Sequence, residues 1–240
     1  MKDKILLETI KVFENAGKKL LKWRDEKKYT EIISSSKNKY KVDLILNDYI
    51  IDGLSKITPG VQIISEENFI SDFDRPREYW LIDPLDGTLS WANGFDGFVT
   101  QGALIKDNNP ILSVVYQPVK KNMYHSIIGT GFFINNIKFN RDKNSNHPLT
   151  IVDNTPTPHG IAKKLFDSFP DAHYIESGSI GLKCVLVAMG LADIFIKDVI
   201  VRDWDVAPAF LMLEELGCKF STLEGKDFAI MKEMEKKGLI

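Results

Sequence analysis

The sequence predicts an α/β protein in which an α+β half precedes an α/β half. Three observations carry that reading. The first residues repeat apolar side chains at helical spacing. The middle of the chain is a succession of short apolar runs separated by turn residues, and the last third alternates strand-like and helix-like segments. Strands that follow one another directly suit an antiparallel sheet, whereas strands joined by helical crossovers suit a parallel one. The polar run Arg141–His147 is the best boundary, giving halves of 1–145 and 146–240.

From about Asp3 to Lys27, Leu6, Ile10, Phe13, Leu20 and Trp23 fall close to one helical face. Ser34 to Lys39 is polar and predicts an exposed loop. A second helix starts near Asp43 and carries Leu44, Ile51 and Leu54. Val61 to Ser65 predicts a short strand and Asp72 to Glu78 a charged loop. Further strands are expected at Phe98–Ile105, Ile111–Gln117 and Met123–Ile128. A hairpin over Phe132–Phe139 turns at Asn135-Asn136, a pair that tolerates left-handed backbone. The second half predicts strands at Leu149–Val152, Ala192–Lys197 and Cys218–Ser221, and helices at His159–Phe169, Ser179–Met189 and Asp205–Leu216. The lysines from Lys232 to Lys237 read as a solvated helix face.

With 240 residues the chain can bury a sizeable core, and 44% hydrophobic with 27% charged residues is ordinary for a globular protein. A net charge of −2 gives no bulk attraction for a nucleic acid polymer or a membrane surface. Cys184 and Cys218 do not make a disulfide framework, and the charged start from Met1 to Glu8 lacks a leader's apolar core. The expectation is a cytoplasmic protein.

The most informative segment is Trp80-Leu81-Ile82-Asp83-Pro84-Leu85-Asp86-Gly87-Thr88. An apolar strand runs into two carboxylates, and Pro84, lacking an amide proton, is expected to end it. Gly87 allows close backbone approach to a ligand, and Thr88 offers a hydroxyl and an amide at a helix start. Glu66-Glu67 also follows a strand. In Arg202-Asp203-Trp204-Asp205-Val206-Ala207-Pro208, Asp205 is expected to cap a helix, with Pro208 tolerated in its first turn. If Glu66, Asp83, Asp86 and Asp205 converge, their charges raise one another's pKa unless cations neutralise them. An all-oxygen donor set suits Mg²⁺, Mn²⁺ or Ca²⁺ rather than Zn²⁺, and the four histidines show no ligand spacing.

Ile64-Ser65-Glu66-Glu67, the hexapeptide from Asp83 to Thr88, and Trp204-Asp205-Val206-Ala207 together resemble the signatures of the inositol monophosphatase-like superfamily. The resemblance implies a layered α/β/α/β/α sandwich and Mg²⁺-dependent phosphomonoester hydrolysis with two or three ions. It implies that Glu66, Asp83 and the Leu85 carbonyl hold one metal, and that Asp83, Asp86 and Asp205 hold another. Glu66 and Thr88 would orient the attacking water, with Asp43 in support. Tyr40 stands where relatives have a threonine three residues before that aspartate. Amides near Gly87 and Thr88 would hold the phosphate.

For the ester itself, Gly178-Ser179-Ile180-Gly181-Leu182-Lys183 resembles a segment of 3′(2′),5′-bisphosphate nucleotidases. Ser179 and Lys183 could there meet a second phosphate or the nucleotide, with Gly87, Thr88 and Asp205 as further substrate contacts. Lys183 also reads as a solvated helix lysine. Leu89-Ser90-Trp91, however, is nearer in character to inositol enzymes. An acid contacting sugar hydroxyls in those enzymes maps onto Lys197 or Asp198, depending on the direction of counting. Glu67 reads as a solvated neighbour of the site. The expected partner is a small phosphate ester, with a monomer or homodimer equally open. A catalytically inactive phosphate or metal binder is the competing class.

Overall fold

The N-terminal stripe closes into helix α1 (Lys2–Asp25), which buries Leu6, Ile10, Phe13 and Leu20 on one face. The computed structural model describes residues 2–34, 39–69, 75–142, 147–226 and 235–239, with the backbone alone for 198–200 and 235–239. Strands β1 (Ile32–Ser34) and β2 (Lys39–Tyr40) pair antiparallel at the flanks of the stretch expected to be a loop. Residues 35–38 of that stretch lie outside the described residues, as do residues 143–146 of the expected boundary. Helix α2 (Lys41–Ile57) follows and packs beside α1.

Seven strands form the larger sheet in chain order. They are β3 (Gln62–Ser65), β4 (Glu78–Asp86), β5 (Val99–Lys106), β6 (Asn109–Gln117), β7 (Asn122–Ile127), β8 (Gly131–Ile134) and β9 (Ile137–Lys138). Only β3 and β4 run parallel; every later pair is antiparallel. Helix α3 (Thr88–Ala92) interrupts the order between β4 and β5. The last hairpin turns at Asn135 and Asn136, both at positive φ, the backbone that a tight two-residue hairpin requires.

The smaller sheet takes β10 (Thr150–Asp153), β11 (His173–Glu176), β12 (Ile194–Arg202), β13 (Ser221–Thr222) and β14 (Glu235–Leu239) in the order β11-β10-β12-β14-β13. Helices α4 (Gly160–Asp167), α5 (Ile180–Met189) and α6 (Asp203–Glu215) connect them. In this sheet two strands lie where the sequence predicts none. β11 extends the parallel ladder of β10, and β14 pairs antiparallel with both β12 and β13. Over Glu235–Leu239 the charged tail is therefore a strand and not a helix face, and residues 232–234 of that expectation lie outside the described residues. Ladder pairing on both sides overrides its composition.

Strand alternation sorts the core into layers. On β4, Trp80 and Ile82 face α1 and α2, while Tyr79 and Leu81 join a second cluster with residues of α5 and α6. On the smaller sheet, Val152 and Phe195 belong to that same middle cluster, whereas Ile151 and Ile196 pack with α4. The layers are thus α1/α2, the seven-stranded sheet, α5/α6, the five-stranded sheet and α4. This is the α/β/α/β/α sandwich that the resemblance implies. Among the described residues no helix is long and apolar enough to cross a membrane.

Candidate active site

Pro84 does not end its strand. β4 runs through to Asp86, and its register against β5 shifts between Asp83 and Asp86. Proline is tolerated in a strand at such a bulge, because the ladder is already interrupted there. The bulge also re-aims the two carboxylates at the end of the strand. Asp83 Oδ1 accepts the Leu85 amide at 3.0 Å. Gly87 follows at φ +93°, and a Cβ there would lie 3.0 Å from the Gly97 carbonyl oxygen, so glycine alone fits this turn. Helix α3 then places the Thr88 hydroxyl 3.1 Å from Asp43 Oδ1 and 3.0 Å from the Leu85 carbonyl oxygen.

Asp43 sits in the first turn of α2, where its Oδ2 accepts the Tyr40 amide at 2.7 Å. The contact is to backbone, so the replacement of threonine by Tyr40 leaves it intact. Glu66 opens the short 3-10 turn Glu66–Asn68 after β3. Ser65 Oγ caps that turn by accepting the Glu67 amide.

Asp86 reaches across to the other half of the molecule. Its carboxylate accepts the Ile180 amide at 3.1 Å and the Gly181 amide at 2.7 Å, both at the start of α5. Ser179 caps that helix by accepting the Leu182 amide and also bonds Asp86. Gln101, on β5, donates from Nε2 to Asp86 Oδ2 and to the Trp204 and Asp205 carbonyls, each at 3.2 Å.

Those carbonyls explain α6. The helix begins at Asp203, with Arg202 as its cap, so Asp205 is the third residue of its first turn and accepts the Arg202 amide at 2.6 Å. Asp205 is therefore not the N-cap, and Pro208 sits within the helix, beyond its first turn. Proline there leaves the Trp204 carbonyl without its helical donor. Gln101 supplies the replacement.

A cavity of about 520 Å³ opens over these strand ends, with Asp43, Glu66, Thr88, Asn154, Glu176 and Gly178 among its lining residues. Burial pushes Asp43 up to about 7, with the Glu67 charge adding to it. Glu66 is open to the cavity, yet the protein around it and the Glu67, Asp86 and Asp43 carboxylates push it up to about 7 as well. Burial holds Asp83 and Asp205 well above the carboxylate range. Asp83 also feels Glu66, Asp86 and Asp205; Asp205 feels Asp86 and Glu66. Asp86 is raised by burial too, against the α5 amides and Lys183.

Among the described residues, no three His, Cys, Asp or Glu side chains are drawn into a ligand cluster. The carboxylates turn oxygens toward amides and hydroxyls instead. What the site does present is an excess of buried negative charge on oxygen donors only, the chemistry of a hard divalent cation. The residues fit Mg²⁺ on that ground.

Two expected substrate residues stand off the cavity wall. Ser179 is buried and works on Asp86 and α5. Lys183 is 1% exposed and lies over the Phe195 ring at 4.9 Å, with Nζ donating toward the Ser177 and Gly178 carbonyls. It is neither solvated nor among the lining residues. Lys197 donates to Asn154 Oδ1 at 2.8 Å and Asp153 Oδ1 at 3.2 Å. The Asp198 side chain lies outside the described residues. Glu67, expected to be solvated, has a side chain only 6% exposed, pairs with Lys39 and lines the cavity. Sequence reasoning also missed Lys39 and Gln101. A long amide in the middle of an otherwise small and apolar strand is the signal that could have revealed Gln101.

An acid-lined cavity at strand ends offers the oxygen donors that a cation-assisted phosphatase uses. The sequence pattern of the inositol monophosphatase family matches residues 3–237, and the chain belongs to that family. It is an enzyme, a phosphoric monoester hydrolase, in a magnesium-dependent family. The 3′(2′),5′-bisphosphate nucleotidase CysQ of Haemophilus influenzae is 29% identical over 224 residues, covering 90% of this chain and 83% of that protein. The Nus factor SuhB of Xylella fastidiosa is 27% identical over 238 residues, 95% of this chain and 84% of that protein. A crystal structure described as an IMPase/NADP phosphatase complexed with Mg²⁺ and phosphate is similar at 26% identity and a TM-score of 0.73. The match covers 84% of this chain and 76% of that one.

Proposed function

We propose that this phosphatase is a 3′(2′),5′-bisphosphate nucleotidase, releasing phosphate from adenosine 3′,5′-bisphosphate to leave AMP. The observation that carries the reading is the start of α5. The segment that resembles the nucleotidases is bonded to Asp86 through the Ile180 and Gly181 amides, and Gly178 lines the cavity. Likeness to the Haemophilus influenzae nucleotidase over most of the chain points the same way.

Glu66, Asp83 and the Leu85 carbonyl would hold one Mg²⁺; Asp83, Asp86 and Asp205 would hold a second, and two or three ions are expected. When bound, Mg²⁺ supplies positive charge to the phosphoryl oxygens and acidifies water. The chain's own part is positional. Thr88, held by Asp43, orients the attacking water together with Glu66, and amides near Gly87 and Thr88 receive the phosphate. Positioning and electrostatic stabilisation together make up nearly all of such catalysis. Asp205 completes the substrate side of the site. A reducing cytoplasm suits Cys184 and Cys218, which are both unlinked.

A second reading, inositol monophosphatase, is favoured by one observation: Lys183, the nucleotidase-like lysine, is buried away from the cavity. Phosphate release with Mg²⁺ from adenosine 3′,5′-bisphosphate, inositol 1-phosphate and fructose 1,6-bisphosphate separates the two. The nucleotide is expected to give the highest kcat/KM. Preference for inositol 1-phosphate would replace the first reading by the second, and no release from any ester would leave a binder.

A further inference from the structure

One side chain in the middle layer differs in kind from the core around it. On β5, Val99, Gln101, Ala103 and Ile105 point the same way, and the three apolar ones join the cluster between the two sheets. Gln101 is fully buried among them. It pairs with Asp83 across the ladder, the last regular pair before the bulge of β4. Its Oε1 has no donor among the described residues, and a Cβ on Gly181 would come within 2.0 Å of it. A buried acceptor without a donor costs stability, so packing alone is better served by an aliphatic side chain. The gain lies at the other end of the amide.

There Nε2 faces three oxygens at 3.2 Å, Asp86 Oδ2 and the Trp204 and Asp205 carbonyls. Carbonyls and an ionised carboxylate only accept, which fixes the NH₂ end toward them. Its two hydrogens are shared among three acceptors, so the amide bridges them and caps no single one. Asp86 belongs to the larger sheet and is set by the Ile180 and Gly181 amides of α5. Asp205 belongs to the start of α6, where the Arg202 amide sets its carboxylate. Each carboxylate is thus fixed to one helix start, and the Gln101 amide lies between the two starts. Pro208 secures the tie: with no amide proton of its own, it leaves the Trp204 carbonyl to Gln101.

We propose that Gln101 is a positioning residue for the second Mg²⁺: its amide holds the start of α6 against Asp86 and so sets the spacing of the Asp86 and Asp205 carboxylates. The proposal rests on the reading that those two carboxylates share an ion, and adds the side chain that brings them to it. Groups hydrogen-bonded behind a ligand orient it, and their loss is felt in the affinity for the ion. Gln101 itself touches neither ion nor ester in this role. Its effect passes through the backbone of Asp205 and one oxygen of Asp86.

The test is calorimetric titration of the chelator-treated full chain with Mg²⁺, beside urea unfolding of each variant without it. Gln101→Met keeps the length of the side chain and loses the amide. It should weaken binding of one ion by about 10–100-fold, the scale of losing a partner that orients a ligand, and leave the other nearly as before. Gln101→Asn keeps an amide but draws it back by one methylene, and should weaken the same ion even where the larger change does not fold. Pro208→Ala gives the Trp204 carbonyl a helical donor. Added to Gln101→Met, it should restore stability but not the ion, because the link to Asp86 stays cut. Restoration of the ion by Pro208→Ala would make Gln101 a helix support only and overturn the proposal. So would a Mg²⁺ isotherm in Gln101→Met, or in a folded Gln101→Asn, that matches the unaltered protein. Asp205→Asn tests the underlying reading separately. If it loses the ion that Gln101→Met keeps, the ion assignment stands and the proposal falls. If it changes neither ion, the assignment itself is removed, and the proposal with it.

Discussion

The strand ends of the larger sheet and those of the smaller one meet at a single cavity on different electrostatic terms. Around Asp83, burial and like charge push carboxylates upward together. Around Asp153, a carboxylate, an amide and the Lys197 ammonium settle one another within hydrogen-bond reach. Crowded like charge costs stability, so a fold that keeps it does so for what the charge will hold. Paired charge fixes the direction of side chains. One cavity thus carries crowded like charge on some of its lining and paired charge beside the rest.

The strongest way to break that contrast is to remove the central charge. Asp83→Asn keeps an oxygen for the Leu85 amide but loses the carboxylate. Activity should fall by about 10³-fold or more, the scale of losing a principal electrostatic element. Its melting temperature in chelator should rise, because the folded state no longer has to oppose the ionisation of a buried carboxyl among Glu66, Asp86 and Asp205. Retained turnover would refute the assignment of the site.

The paired kind of charge should respond in the opposite sense. Asp203 is fully buried and bonded to Arg75. Asp203→Ala leaves that guanidinium without its carboxylate and should cost about 3–5 kcal/mol in urea unfolding. A loss under about 1 kcal/mol would mean that the pair contributes as little as a surface one.

Thr88→Ala removes the hydroxyl between Asp43 and the Leu85 carbonyl and should lower kcat by about 10²-fold, with Thr88→Ser recovering most of it. An unchanged kcat would detach Thr88 from the water.

The smallest effect is on pH dependence. Asp43 and Glu66 are raised to about 7 from 3.8 and 4.5, so between those values the folded state binds more protons than the unfolded one. Stability contributed by the protonated forms is complete below the unfolded pKa and is lost as pH rises through about 7. Chelator-treated protein should therefore melt at a lower temperature at about pH 8 than at about pH 5, and Mg²⁺ should raise the melting temperature more at the higher pH. An Mg²⁺ shift independent of pH would count against the crowded-carboxylate description.

Sequence reached the larger sheet more fully than the smaller one. Helical spacing located α1, and the paired asparagines marked the last hairpin, because both signals are local. β11 and β14 escaped because their identity comes from strands far along the chain; charged side chains at Glu235 and Lys236 do not forbid a ladder once β12 and β13 offer one. The carboxylates were legible from their motifs, but their settings were not. Pro84 reads as a stop unless the bulge opposite β5 is known. Asp205 reads as a cap until Arg202 is seen to take that place. Lys183 reads as a solvated or substrate-facing lysine until Phe195 is found beneath it. Pro84 and Lys183 are set by strands elsewhere in the chain, whereas Asp205 is set by a helix start three residues earlier than its own motif suggests.

Gln101 carries a consequence for how the enzyme comes into being. Its amide joins Asp86 to the Trp204 and Asp205 carbonyls, partners 15, 103 and 104 residues away. Closing such long loops comes late, since their entropy is spent before the contacts repay it. A growing chain that has completed the seven-stranded sheet still lacks Asp205 and the start of α5. Helix and sheet should then be regained early in refolding, with turnover lagging behind. Enzymatic activity becomes a clock for the last step of folding.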